Sequence, residues 1–103
     1  MVFKPKANEM VIRAADSHYL TGKEDIKGKF IVTNQRIYFI LSSDSNNGHS
    51  NIEINPEQIK EIIYIKGKRL FSKGLNVITH DGNKMQFVMK NRNEFGKLIN
   101  SMY

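Results

Sequence analysis

His18, His49 and His80 are the side chains best suited to hold a metal or to move a proton near neutral pH. They are evenly spaced, but their surroundings (Ser17-His18-Tyr19, Gly48-His49-Ser50 and Thr79-His80-Asp81) share no repeat. None has a second ligand at metal-binding spacing. His80-Asp81 with a loop serine is the nearest approach to a hydrolase constellation, and no nucleophile elbow accompanies it. Gly22, Gly28 and Gly67 form no phosphate-loop signature. The chain has no cysteine, which excludes disulfides, thiolate nucleophiles and cysteine-ligated metal sites together. The expectation is a binding protein, with no catalytic residue, no metal ligand and no cofactor.

The cations are the stronger signal. The net charge is +6, which favours anionic partners: acidic lipid headgroups, an acidic protein face or nucleic acid. Lysine outnumbers arginine 12 to 4, and direct base readout leans on arginine, so nucleic acid is the weaker fit. One basic segment contains Lys66, Lys68, Arg69 and Lys73, with Leu70 and Phe71 between the charges. It is read as a loop joining two strands. Leu70 and Phe71 either form an apolar tip able to enter a membrane interface or fold back onto the core, and the second is the commoner arrangement. A second segment contains Lys23, Lys27 and Lys29, interrupted by Glu24 and Asp25. Four cations near an anionic membrane contribute about 4 kcal/mol, a millimolar dissociation constant. Burying Leu70 and Phe71 adds about 1.5–3 kcal/mol each, enough to reach the micromolar range. The membrane reading therefore depends on those two side chains.

The elements that position these groups show in the hydrophobic pattern. Alternation with a period of two marks strands at Met10–Ala14, Phe30–Val32, Ile37–Leu41, Ile52–Ile54, Leu75–His80 and Met85–Lys90. Ile59–Ile65 fits a helical face or a strand, and a strand is preferred. Asn55-Pro56-Glu57-Gln58 reads as a capped helical turn, and Asp81-Gly82 as a hairpin turn. Thr33 and Asn34 are expected to bond turn amides, with Arg36 in a structural role. Ser42–Ser50 is polar and reads as a surface loop. The period then changes: Phe95, Leu98, Ile99 and Met102 form one helical stripe, with Asn91 as cap and Glu94 three residues on, as in a capping box. Gly96 beside that stripe is read as permitting close approach to the sheet. The expected architecture is one mainly β domain over residues 1–103, with its core at 9–102. About seven antiparallel strands form a sandwich or barrel closed by a C-terminal helix.

Several segments, in order, resemble the GRAM domain, a branch of the pleckstrin-homology-like (PH-like) fold. Glu9-Met10-Val11-Ile12 looks like its first strand. Gly28-Lys29-Phe30-Ile31-Val32-Thr33-Asn34-Gln35-Arg36-Ile37-Tyr38-Phe39 resembles a hairpin of that family, and Gly74–Thr79 with Asp81-Gly82 its later strand and turn. Ile52-Glu53-Ile54, Ile59-Lys60-Glu61-Ile62, Phe87 and Asn91–Phe95 complete the set, with Phe95 where the family often carries tryptophan. The resemblance implies a seven-stranded PH-like sandwich with a C-terminal helix. It also implies association with membranes, lipids or proteins, without catalysis. In pleckstrin-homology domains the first hairpin supplies lysines and an arginine to phosphoinositides, and Lys29 stands where that pattern has arginine.

Two further functions compete. A small basic barrel binding single-stranded nucleic acid needs exposed aromatics on a strand face, and Tyr19, Tyr38 and Tyr64 are the candidates. A self-associating homo-oligomeric subunit would use an exposed sheet edge. Met1-Val2-Phe3-Lys4-Pro5-Lys6 lacks the apolar stretch of a signal peptide, and Ile37–Leu41 is far short of the ~20 residues of a membrane-spanning helix. The expected location is the cytoplasm, peripheral to the inner face of a membrane.

Overall fold

The computed structural model describes residues 4–21, 24–42, 51–66 and 73–103. Seven strands run in chain order: β1 (Val11–Leu20), β2 (Asp25–Thr33), β3 (Ile37–Leu41), β4 (Ile52–Ile54), β5 (Ile59–Ile65), β6 (Gly74–Thr79) and β7 (Lys84–Val88). They form one antiparallel sheet in the order β4-β3-β2-β1-β7-β6-β5. Helix α1 (Arg92–Asn100) follows. The ambiguous run at Ile59 is a strand: Ile59 and Ile62 both reach the core, paired with Thr79 and Val77, because a register shift between Ile59 and Glu61 absorbs the extra residue.

The core is built from inward rows at the predicted period. Phe30 pairs with Phe39 across β2 and β3, and Leu75 with Phe87 across β6 and β7. The Phe30 ring stands edge-on to Phe87 at 4.9 Å and to Phe95 at 5.2 Å, so the helix and both halves of the sheet meet on one aromatic cluster. Phe95 and Ile99 are fully buried, and Leu98 and Met102 pack at the margin. A Cβ at position 96 would run into the Tyr64 ring, so glycine there lets α1 approach β5.

The turns follow local chemistry. Gly82 adopts φ 92°, the left-handed region that favours glycine, and its N–H donates to the Thr79 carbonyl at 3.0 Å. Pro56–Gln58 is a short 3-10 turn in which the Gln58 side-chain oxygen accepts from the Asn55 N–H at 2.8 Å. Two expected contacts differ. Asn91 occupies the N-cap position, but its side chain makes no cap bond, and Glu94 turns to Arg13 at 2.6 Å instead. A charged partner on β1 outcompetes the local cap. Asn34 bonds not its own turn but the N-terminal segment: its Oδ1 accepts from Met10 N–H at 2.8 Å, and its amide donates to the Asn8 carbonyl.

Candidate docking surface

The strand register decides which cations share a surface. Lys27 pairs with His18, His18 with Val88, Val88 with Gly74 and Gly74 with Ile65. One rung therefore crosses β2, β1, β7, β6 and β5. Side chains on one rung point to one face. Lys27 is exposed while its inward neighbour Ile26 is buried, so this is the outer face. Lys66 follows Ile65 and Lys73 precedes Gly74, and both are exposed at that end of the rung. The Lys73 carbonyl accepts from Met89 N–H at 3.1 Å, which brings Lys90 beside it. From β2 to β6 the rung spans three strand spacings, about 15 Å.

Lys27 and Lys29 lie on the outer face of β2, and Lys66 and Lys73 sit one residue beyond the Ile65–Gly74 pair, exposed at the far end of the Lys27 rung; together they are the candidate lysine band. Lys90 joins them; sequence reading missed it because it stands alone after Met89 and only the β7 register places it. Lys23, Lys68, Arg69, Leu70 and Phe71 lie outside the described residues, as does His49. Lys27, Lys29, Lys66, Lys73 and Lys90 form no ion pair with any described residue. The band is not purely positive. Asp16 pairs with Lys29 across the strands, and His18 Nδ1 lies 2.6 Å from Asp25 Oδ1. A cleft of about 360 Å³ opens along the band, lined by Asp16, His18, Val88 and Lys90 among others.

Arg36 has a different role. It is buried, its Nε donates to Glu9 at 2.8 Å, and its two terminal nitrogens reach Glu53 at 2.9 Å and Glu9 at 3.0 Å. The Thr33 hydroxyl accepts from the Gln35 and Arg36 amides at 3.0 Å, as its turn position predicts, and donates to Glu9 at 2.6 Å. The hydrogen bond from Arg36 lowers the Glu9 carboxyl to about 2, with the Thr33 hydroxyl and the Lys6 amide adding to it against the cost of burial. These groups neutralise one another and tie the segment before β1 to the β2–β3 turn. They offer a partner no free charge.

The remaining candidates are engaged locally. Asp81 accepts from the Thr79 hydroxyl, which holds its carboxyl below the usual range, and from the Asn83 amide. The His80–Asp81 carboxylate is therefore committed to its own turn. Among the described residues no cluster of three histidine or acidic side chains converges on a point that could hold a metal ion. Tyr19 packs on Phe87 at 5.2 Å, Tyr38 lies under Arg36 at 4.8 Å, and Tyr64 under Arg92 at 5.1 Å. Each of the three tyrosines thus has a different neighbour against its ring, although Tyr64 remains 45% exposed.

Strand order and the capping helix define a fold shared with solved structures. The C-terminal domain of an unknown protein from Leishmania infantum superposes with a TM-score of 0.76 at 20% identity, covering 93% of this chain and 85% of that one. The Vps36 N-terminal PH domain superposes with a TM-score of 0.70 at 15% identity, covering 93% and 83%. The chain has the PH-like fold. No protein-family model and no curated protein matches the sequence. Among the described residues no helix is long and apolar enough to cross a membrane.

Proposed function

We propose that this chain is one GRAM-like domain, with its core at 9–102, that acts as a non-catalytic binding module on an anionic membrane surface. The observation that supports this reading is the set of exposed lysines: Lys27 and Lys29 outward on β2, Lys66 and Lys73 one residue past the far end of the Lys27 rung, and Lys90 next to the Met89 that bonds Lys73. Five cations near an anionic surface contribute on the order of 5 kcal/mol, a sub-millimolar dissociation constant. Lys68 and Arg69 belong to the same basic segment and add to that charge. In this reading Leu70 and Phe71, of the same basic segment in the sequence, are the apolar groups that enter the membrane interface, contributing about 1.5–3 kcal/mol each.

The GRAM-level assignment rests on the ordered motif set from Glu9 to Met102, and the Thr33–Arg36 turn has a structural reason for its residues. The domain in this reading is peripheral to the inner face of a membrane in the cytoplasm, needs no cofactor, and recognises charge rather than one headgroup. Flotation with vesicles of phosphatidylcholine and phosphatidylserine tests it. Binding is expected at low salt and is weaker at physiological salt, because exposed charges are screened beyond about 8 Å. Folded protein that stays off acidic vesicles at low salt would sink it.

A further inference from the structure

Strand β1 is longer than its second partner. Among the described residues β7 pairs with it only at His18, Tyr19 and Leu20, and no other described strand lies beside that side of β1 from Val11 to Ser17. The amide directions follow from the ladder. Ser42 N–H donates to the Lys27 carbonyl, so Lys27 turns its amide to β3 and Gly28 turns its own to β1. Ser17, the partner of Gly28, therefore faces β2. By alternation the N–H and C=O groups of Ala14 and Asp16 face the unpaired side, the same side on which His18 and Leu20 meet β7.

That edge lines a groove. Helix α1 forms the opposite wall with Lys97 and Leu98, and the Arg13–Glu94 pair bridges the two. A cleft of about 390 Å³ at Ile12 and Arg13 lies on the same strand as the cleft of about 360 Å³ at Asp16 and Lys90. Ile12 lines the first of these, and Met10, Val11 and Ile12 are 69%, 43% and 51% exposed, a run of three consecutive apolar side chains left on the surface. Arg13 and Glu94 neutralise each other, which leaves Lys90 and Lys97 against Asp16 and a net positive lining.

We propose that the unpaired edge of β1 takes an extended segment of a partner protein, added as a strand and alternating apolar with acidic residues. A row of free amides selects extended backbone, the exposed Met10 and Ile12 select apolar side chains, and the lining selects negative charge. A second copy of this chain is a poorer occupant, because the +6 net charge opposes self-association. The site shares Lys90 and the Asp16 cleft with the end of the lysine band, but its recognition through the β1 edge does not depend on membrane docking.

The test is a nuclear magnetic resonance titration of the full chain with a capped peptide of about seven residues alternating valine and glutamate, the length of the free edge. The Ala14 and Asp16 amides should shift and exchange more slowly. A valine–lysine peptide should bind at least roughly fivefold more weakly. Ala14→Pro removes a donor from the free side without breaking a bond to β2, so it should abolish binding while vesicle flotation persists. Should that variant unfold, Lys97→Glu should weaken the valine–glutamate peptide and strengthen the valine–lysine one. Unshifted Ala14 and Asp16 amides at millimolar peptide would overturn the proposal. So would a dimer in sedimentation that Ala14→Pro dissociates, which would assign the edge to a second copy.

Discussion

Arg36 is one of four arginines in a chain with 12 lysines, and it is buried between two carboxylates. Its planar fork reaches Glu9 with two nitrogens and Glu53 with a third, which a lysine cannot do. Arg36→Ala leaves the Glu9 carboxylate buried without its partner, and unfolding should become easier by about 3 kcal/mol in urea titrations. Arg36→Lys should recover only part of that loss. Glu9 itself sets a pH dependence. Its folded carboxyl is lowered to about 2 from an ordinary value of 4.5, so its contribution to stability is fully present above that ordinary value. The contribution is lost as pH falls from there toward 2. Thermal unfolding across that window should show a drop that Glu9→Gln largely removes.

At the scale of elements, α1 and β5 meet at Gly96 and Tyr64. Gly96→Ala gains helix propensity of about 1 kcal/mol, and Gly96→Val does not, yet both place carbon where the tyrosine ring lies. Gly96→Val should destabilise by about 1–3 kcal/mol, and pairing it with Tyr64→Ala should restore part of the loss. The elements were largely legible in the sequence because their period is a local property. Leu75, Val77 and Thr79 alternate, and Phe95 and Ile99 repeat every helical turn, so the buried faces could be named residue by residue. Contacts that depend on distant partners were not legible. Asn91 and Glu94 have the spacing of a capping box, but Glu94 is taken by Arg13 from β1. Asn34 has the chemistry of a turn residue, but it is taken by Met10 and Asn8. The same limit applies to the candidate docking surface. Lys27 and Lys73 stand in separate basic segments, and only the β1–β7 and β6–β7 registers relate them, with Lys73 one residue before the Gly74 that shares the Lys27 rung. The free side of β1 has no sequence signal at all, since it arises from where β7 stops pairing.

For the molecule as a whole, PH-like architecture separates what holds the fold from what is left to bind. The four buried phenylalanines and the Arg36 network belong to the fold. The lysines of the candidate band are exposed, with no ion pair to any described residue. A rim charge contributes through its field and is sensitive to salt, so single lysine changes should have small effects and combined ones large effects. Lys27→Ala alone should weaken vesicle binding by roughly fivefold, the equivalent of about 1 kcal/mol. Its thermal stability should be unchanged, because the side chain is exposed and supports no packing.

The most direct test of the lysine band is flotation of the Lys27→Glu/Lys29→Glu/Lys73→Glu variant beside the unaltered protein, on phosphatidylserine-containing vesicles at low salt. The account predicts that the unaltered chain floats with the vesicles, while the variant, folded and with the same unfolding midpoint, stays in the soluble fraction. A variant that floats equally well would contradict it and take the lysine band out of the binding site.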